Sequence, residues 1–492
     1  MSWACKPAYG KDREELNQTV KSKETGHDYV RPNCAVVGVW GAREASTLTY
    51  LALYALQHRG QEATGIVSSD GRRLHSQVSQ GLVADVYSRE VLHRLPGTSA
   101  IGHNRYSTTG SSTADNVQPI LVRDRSGPIA ISHNGNLTNY AELRRFLEDE
   151  GSLFRTSSDT ELILQLVARS HGETLQQRIL EALRLVKGAY SLTLLTRDHM
   201  VAVRDPYGFR PLCLGKLRSG WIVASESCAL DILGAKYVRD IEPGELLIFN
   251  EAGIQNLRFA DSPRRAHCIF EFVYFSRPDS RIFGDNVDKA RRRLGHNLAR
   301  WHPAKDVDYI ISVPDSSNTA ALGYAHESGK PFEIALIRNH YVGRTFIEPE
   351  QRMRDFGVKI KFNPVAGVIK GKRVVMVEDS IVRGTTLRKL VRLLRKAGAK
   401  EVHVRVSSPP IRFPCFYGMD FPTRRELMAA WHSVEEIRRF IRADSLEYLT
   451  PQELLDAVPH SAGQDYCTAC FTGDYPIPVP DFEGKDEPDK TK

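Results

Sequence analysis

Three groups of residues in this chain have types and spacings that could do chemistry. Cys34 heads the apolar run Ala35-Val36-Val37-Gly38-Val39-Trp40, a place where a thiol is either a small core residue or a nucleophile presented at a strand end. Glu378 and Asp379 close a second apolar run, Arg373 to Val377, and lead into Ser380-Ile381-Val382-Arg383-Gly384-Thr385-Thr386. Adjacent carboxylates at a strand end suit hydroxyl groups and a divalent cation, and a Gly/Thr turn that opens a helix presents N–H groups to a phosphate. The third group is Cys467-Thr468-Ala469-Cys470, a C-x-x-C, while Cys268 and Cys415 stand alone. Eight cysteines in 492 residues are too few and too uneven for the disulfide framework of a small secreted domain.

Elements to hold these groups can be read from the hydrophobic pattern. Residues 1–33 are polar, interleaved in charge and without apolar periodicity, and are expected to be a leader that is disordered or removed. From Cys34 the texture changes, with a buried helix over Leu48 to Leu56 and strands at Gly65–Ser68, Pro128–Ser132, Ser191–Leu195, Met200–Val203 and Trp221–Ala224. Helical spacing appears at Glu142–Leu147, Glu161–Ala168 and Leu175–Val186, so an α+β domain with helix-covered sheets is expected over 34–260. The punctuated stretch Asp261-Ser262-Pro263-Arg264-Arg265 ends it. Beyond it, Val307–Val313 and Arg373–Val377 are strands, each followed by a polar loop and a helix. Leu387, Leu390, Val391 and Leu394 share one helix face, and Val402, Val404 and Val406 alternate in the next strand. That rhythm predicts an α/β domain with a parallel sheet over 261–480, whose ligands bind at the carboxyl ends of the strands, followed by a loose tail over 481–492.

Composition narrows the classes further. Lys plus Arg number 67 against 59 Asp plus Glu, a net charge of +8, but the two signs are interleaved, which argues against a dedicated nucleic-acid protein and leaves an anionic small substrate open. No apolar stretch reaches the length of a membrane span, and the N-terminus lacks the apolar core of a secretory signal, so a cytoplasmic protein with no membrane partner is expected.

Four blocks in the first half resemble the N-terminal-nucleophile glutaminase domain of amidotransferases: Gln57-His58-Arg59-Gly60-Gln61-Glu62-Ala63-Thr64-Gly65 after Cys34, Gly102-His103-Asn104-Arg105-Tyr106-Ser107-Thr108, Ser132-His133-Asn134-Gly135-Asn136, and Ser158-Asp159-Thr160-Glu161. The resemblance implies a layered αββα fold in which Cys34 attacks the glutamine side-chain amide, with its own freed α-amine as base. It gives Asn134 and Gly135 to the oxyanion hole, Arg105 to the substrate carboxylate and Asp159 to the substrate ammonium. Each choice fits its chemistry, since a guanidinium clamps a carboxylate and an α-amine titrates near neutrality. Cys34 can act this way only once residues 1–33 have left. The residue after it is Ala35 where the family usually has glycine, and the leader is longer than usual.

The string Val374 to Thr386 resembles the phosphoribosyl pyrophosphate (PRPP) signature of type I phosphoribosyltransferases, with Glu378 in place of the more usual aspartate. The resemblance assigns Glu378, Asp379, Ser380, Arg383, Gly384, Thr385 and Thr386 to PRPP. It assigns Ser316, in Val313-Pro314-Asp315-Ser316-Ser317, to one magnesium ion together with Glu378 and Asp379. Arg338 to Ile347 resembles the loop that closes over PRPP, with Arg344 as a contact, followed by the further basic residues Arg352, Arg354, Lys359 and Lys361. Both halves in this order are similar to the glutamine PRPP amidotransferase family. Cys268, Cys415, Cys467 and Cys470 match the ligands of its iron-sulfur branch, which implies one 4Fe-4S cluster per subunit, although four thiolates would also hold zinc. Cys5, Cys213 and Cys228 match nothing and read as ordinary thiols. The family implies a homo-oligomer, dimer or tetramer, with purine nucleotides as feedback inhibitors, and it implies no nucleic-acid partner. The rivals are another amidotransferase, which the PRPP string excludes, and a silent PRPP- or nucleotide-binding regulator, which an unprocessed Cys34 would favour.

Overall fold

The computed structural model describes residues 34–106, 114–261, 264–339, 361–419, 424–459 and 465–479. The leader, Ser107 and Thr108, the part of the closing loop from His340 to Ile347 with Arg344, the basic residues Arg352, Arg354 and Lys359, and the tail from 481 lie outside the described residues.

The first half is built from β1 (Ala35–Trp40), β2 (Ala63–Ser69), β3 (Leu74–Gln80), β4 (Ser99–Arg105), β5 (Ile120–Asp124), β6 (Gly127–Leu137), β7 (Gly188–Leu195), β8 (Met200–Arg204), β9 (Cys213–Lys216), β10 (Trp221–Ala224), β11 (Lys236–Asp240), β12 (Glu245–Asn250) and β13 (Gly253–Arg258). They form two antiparallel sheets, of order β11-β9-β10-β1-β4-β2-β3 and β13-β12-β8-β7-β6-β5. The period of two along β1 decides the layering. Ala35, Val37 and Val39 point to helix α1 (Ala45–Ala55), where they meet Ala45, Ala52 and Leu53. Val36 points the other way, into an inter-sheet core with Ile101, Ala130, Leu195, Met200 and Val223. The outer face of the second sheet, Ile129 and Ile131, is covered by α2 (Tyr140–Asp149), α3 (Asp159–Arg169) and α4 (Leu175–Leu183). The result is the four-layered αββα arrangement that the N-terminal-nucleophile resemblance implies.

Beyond α5 (Val287–Trp301), the second half alternates β14 (Tyr309–Ser312), α6 (Asn318–Ser328), β15 (Arg373–Glu378), α7 (Thr385–Lys396), β16 (Glu401–Val406), α8 (Val434–Ile441) and β17 (Ser445–Tyr448). The strands lie side by side in that order, all parallel. Both faces are covered: Ile310, Val375 and Val377 meet Leu294, Leu298 and Ala320, while Val374 and Met376 meet Leu387, Leu390, Leu394, Ile437 and Ile441. Among the described residues no helix is long and apolar enough to cross a membrane.

Several elements differ from the sequence reading, which names no counterpart of β3, β4, β5, β9, β11, β12, β13, α5 or α8. The helix expected to reach Val186 stops at Leu183, because the Lys187 carbonyl accepts from Thr138 N (2.8 Å) and draws the chain into β7 beside β6. β17 has no counterpart in the reading; only Leu446 and Tyr448 of its four residues are buried, too short an alternation to register as a strand.

Helices α5 and α6 touch through glycines. A Cβ on Gly323 would lie 2.1 Å from the Arg292 carbonyl oxygen, and one on Gly295 would lie 1.9 Å from that of Ala320, so the helix backbones themselves are in contact. Gly323→Ala should therefore force the pair apart and cost about 1–3 kcal/mol by overpacking, read as a lower Tm, since neither residue belongs to a candidate site. An unchanged Tm would contradict the close packing.

Candidate active sites

Cys34 lies at the buried head of β1, whose pairing of Ala35 with Asn104 brings it beside Arg105 at the end of β4. Its Sγ–H donates to the Tyr106 carbonyl at 3.5 Å. Burial pushes the thiol up from its ordinary value; the Tyr106 hydrogen bond and the Arg105 charge act to lower it, Asp159 and Glu62 to raise it further. A thiol in this state is a poor nucleophile until a base takes its proton.

The remaining predicted residues of this site converge on it. Asn134 and Gly135 sit on β6, joined to β4 by His103 Nε2 at 3.1 Å from the His133 carbonyl. Burial holds His103 down to about 3, hence neutral. Both polar atoms of the Asn134 side chain are buried with no hydrogen-bond partner among the described residues, which leaves an amide donor waiting in the site. A Cβ on Gly135 would lie 1.9 Å from the Ala189 carbonyl oxygen, so only glycine fits there. Asp159 opens α3, accepts from Leu137 N at 3.0 Å and stands 3.4 Å from His133 Nδ1. Burial works to raise this carboxyl, but His133 and the Leu137 N–H together hold it below the ordinary range.

The sequence reading assigned no role to His133, nor to Arg59, whose Nε donates to the Cys34 carbonyl at 3.3 Å. Arg59 is 1% exposed and is held by two fully buried carboxylates, Glu226 (2.6 Å) and Glu271 (2.7 Å). Burial alone would lower the guanidinium; the two carboxylates more than reverse that. A signal existed: Glu271 is a lone acid within Ile269-Phe270-Glu271-Phe272-Val273, and a carboxylate in an apolar run needs a buried partner.

The second site lies where the predicted carboxylates fall, at the carboxyl end of β15. Ser316 Oγ donates to Asp379 Oδ2 (2.5 Å) and Ser380 Oγ to Asp379 Oδ1 (2.6 Å), so the two serines hold Asp379 from either side. Glu378 Oε2 is buried without a partner among the described residues. Burial, followed by the neighbouring Asp379 charge, pushes Glu378 well above the carboxylate range; burial also raises Asp379, against Ser316, Ser380 and Arg291. Glu378, Ser380, Gly384 and Thr386 line one pocket with Ile381, Val382, Leu387 and Leu390. Gly384, at φ 71°, takes the left-handed turn from which α7 starts, and lines the pocket itself. Arg383 is engaged by Glu426 at 2.5 Å, and Arg338 by Asp315 at 2.8 Å.

The four matched cysteines line one cavity with Phe209, Ile269, Phe270, Tyr417, Met419 and Tyr475. Local pairing brings them there. A short parallel bridge sets Cys268 opposite Cys467, and the Cys470 carbonyl accepts from Arg412 N and Phe413 N (2.9 and 3.1 Å), drawing in the segment that carries Cys415. None is in a disulfide, and burial pushes the thiols up, Cys268 to about 12. Among the described residues no three His, Cys, Asp or Glu side chains are grouped as a single metal ion would require. Cys213 and Cys228 are buried elsewhere, in the core between β1 and α1.

Residues 103–231 match the family model of a glutamine amidotransferase domain, and residues 307–408 that of a phosphoribosyl transferase domain. The amidophosphoribosyltransferase of Bacillus subtilis is 49% identical over 91% of this chain and 94% of its own length, and that of Archaeoglobus fulgidus 48% over 92% and 99%. The chain belongs to the amidophosphoribosyltransferase family. A solved glutamine PRPP amidotransferase from B. subtilis, complexed with ADP and GMP, superposes with a TM-score of 0.87 at 48% identity, covering 91% of this chain and 98% of that one. A structure described as the allosteric regulatory enzyme of purine biosynthesis superposes at 0.88 and 48%, covering 91% and 97%. This family member is thus an enzyme with a glutamine amidotransferase domain followed by a glycosyltransferase-type domain, of the kind that opens purine synthesis.

The raised pair at 378–379 has a cost that can be measured. A carboxyl whose folded pKa lies above its unfolded one destabilises the fold at all pH above the folded value, and the penalty fades as pH falls towards the unfolded value. Glu378→Gln removes it. The variant should melt a few degrees higher than the parent at pH 8, roughly the scale of 1 kcal/mol in a domain of this size, with the gain shrinking at pH 5. An equal or lower Tm at pH 8 would refute the buried charge.

Proposed function

We propose that this chain hydrolyses glutamine at Cys34 and passes the ammonia internally to PRPP at Glu378 and Asp379, giving 5-phosphoribosylamine, glutamate and pyrophosphate. The observation that carries the assignment of residues is that a buried polar group has no partner among the described residues at each site, the Asn134 amide in one and Glu378 Oε2 in the other. Such groups are costly unless a ligand satisfies them.

At the first site the thiol proton passes to the α-amine of Cys34, freed by cleavage of the Asn33–Cys34 bond. The sulfur attacks the substrate amide carbon, and Asn134 Nδ2 and the Gly135 N–H receive the negative oxygen. Ammonia leaves with the proton returned by the amine, and water then releases glutamate from the thioester. Arg105 clamps the substrate carboxylate and Asp159 its ammonium, with His133 fixing the Asp159 rotamer. At the second site Glu378 and Asp379 accept from the ribose hydroxyls, and the amides opening α7, at Gly384, Thr385 and Thr386, hold the 5′-phosphate, with Ser380 and Arg383 flanking. Ammonia attacks the anomeric carbon as the bond to pyrophosphate breaks, with Arg344 and its basic neighbours drawing off the departing charge. Magnesium fits Ser316, Glu378 and Asp379, where it would screen pyrophosphate and ribose oxygens from the carboxylates.

The cysteine cavity supports a reading in which a 4Fe-4S cluster is held by Cys268, Cys415, Cys467 and Cys470 as a structural cross-link between segments far apart in sequence, as in the iron-sulfur branch of the family. Four thiols around one cavity would also hold zinc, and labile sulfide distinguishes the two. The reading extends to purine nucleotides as feedback inhibitors, supported by the ADP and GMP in the solved relative, to a homo-oligomer, dimer or tetramer, and to a cytoplasmic location.

Cys34→Ala should abolish glutamine-dependent synthesis and spare ammonia-dependent synthesis, whereas Asp379→Asn should cripple both. The intact mass of the active parent should correspond to a chain beginning at Cys34. Loss of ammonia-dependent activity in folded Cys34→Ala, or full activity with residues 1–33 attached, would overturn the assignment. Protein purified without oxygen should contain four iron and four labile sulfide per chain, and Cys467→Ser should hold no complete cluster; zinc without sulfide would defeat that part of the reading.

A further inference from the structure

Among the buried charges where the two halves meet, Arg210 is the least well matched. It is fully buried, where a guanidinium needs acceptors for its N–H groups. One strong acceptor is present, the Tyr417 carbonyl, 2.8 Å from Nη2. Its contact with Glu271, which opens a single π-helical turn over Glu271–Phe275, is 3.3 Å, whereas Arg59 engages both oxygens of that carboxylate at 2.7 and 2.9 Å. Nη1 also donates to a thioether, Met419 Sδ at 3.4 Å, which is a weak acceptor, and Nε has no partner among the described residues. Met419 belongs to the cysteine cavity: it lines it, and its Sδ lies 4.0 Å from Cys268 Sγ. A second route runs through one residue, since Tyr417 offers its carbonyl to Arg210 and its N–H to Cys415 Sγ at 3.3 Å. The rest of the wall, with Phe209, Ile269, Phe270 and Tyr475, carries no charge. Burial pushes the thiols up, and the Arg210 charge works against burial at Cys268, Cys415 and Cys467.

We propose that Arg210 is the counter-ion of a cluster held by the four cysteines, a positioning residue that acts on Cys268 through Met419 and on Cys415 through the Tyr417 backbone; this rests on the cluster reading above. Four thiolates outweigh the positive iron-sulfur core, so the assembly is anionic, and a wall of apolar side chains cannot screen it. A guanidinium in the same low-dielectric interior offsets that charge, and the offset is largest for the more anionic state. Arg210 therefore favours the resting cluster over the product of its one-electron oxidation, from which iron is released. Glu271 carries the opposite charge and acts in the opposite sense on Cys268. The weak thioether acceptor and the idle Nε fit this arrangement, because the guanidinium is placed for its charge and its missing partner is an anion beyond Met419.

Opposite signs at two neighbouring residues supply the test. Parent and variant proteins are purified without oxygen, assayed for iron and sulfide, and exposed to air while the visible absorbance of the cluster is followed. Oxygen takes one electron from the cluster and becomes superoxide, and iron then leaves. Arg210→Met should speed the loss about 10-fold or more, the scale on which outer-shell partners of metal ligands act. Glu271→Gln, which removes the opposing charge, should slow it about 2-fold or more. A merely structural role predicts otherwise, because weakening either partner of the ion pair would loosen the cavity and speed the loss in both. Met419→Leu keeps the volume and removes the sulfur contact, and should speed the loss about 2-fold. Loss at the parental rate in folded Arg210→Met, or faster loss in folded Glu271→Gln, would overturn the proposal. If neither charge variant folds, Met419→Leu decides, and a parental rate there overturns it. A parent with neither iron nor sulfide sinks the cluster reading itself; a parent that holds both but loses them at a rate indifferent to Arg210 sinks only the counter-ion.

Discussion

The seam between the two halves is held by four buried charges, Arg59 and Arg210 against Glu226 and Glu271, each of them at most 1% exposed. Taking such ions out of water costs several kcal/mol apiece, repaid only while every partner stays in place; removing one typically costs about 3–5 kcal/mol. Here the repayment is dense. Glu226 also accepts from His58, Arg277 N and Ser280 Oγ, and Arg210 reaches the Tyr417 carbonyl at 2.8 Å and Glu271 at 3.3 Å. Because Arg59 and Arg210 come from the first half and Glu271 and Tyr417 from the second, a rigid separation of the halves would strand charges on both sides. The ionic seam therefore fixes the relative placement of the two halves, together with a small apolar cluster in which Ala189 and Phe209 of the first half pack with Tyr417 and Ile477 of the second.

That fixed frame lets both sites carry unfavourable features. The Asn134 amide and Glu378 Oε2 are buried without partners among the described residues, and Glu378 and Asp379 are adjacent carboxylates pushed upward by burial. Left alone, each would weaken the fold, and the surrounding pairing keeps them from relaxing. β6 holds Asn134 between ladder partners on β7, and two serines hold Asp379. Stability gained in the cores and the seam is spent at the sites, which is where unsatisfied groups have a use.

Much of this was legible in the chain itself, and the reasons for success and failure differ by element. β1 could be read because its apolar run is bounded and long enough to be buried on both faces, and α7 because four apolar residues fall on one side of it. The site strings could be read because Asn134, Gly135, Arg105 and Asp159, like Glu378 and Asp379, sit in short contiguous blocks. Arg59, Glu226 and Glu271 could not be joined on paper: they are 167 and 212 positions apart, and only the folded seam brings them together. The π-turn escaped for a related reason, since five residues rich in phenylalanine look like any apolar segment. The convergence of Cys268 with Cys467 rests on a two-residue parallel bridge, far below what periodicity can detect.

The cysteine cavity belongs to the same construction, and one loop makes the point. Cys415 lies in the segment whose Phe416 carbonyl accepts from Asn136 Nδ2 at 2.9 Å, next to Asn134 and Gly135 on β6. Two residues on, Gly418 (φ 91°) lies so close to Gly135 that a Cβ there would stand 2.9 Å from the Gly135 carbonyl carbon. The left-handed backbone and the missing side chain are both required by that approach. Arg210 then grips Tyr417 from the ionic seam. A loop of five residues thus forms one wall of the cysteine cavity, one support of the β6 strand behind the nucleophile, and one edge of the buried charges. Whatever orders the four cysteines also orders the backbone against which Gly135 rests, so the cavity is part of the scaffold of the first site although its cysteines come from the second half of the chain.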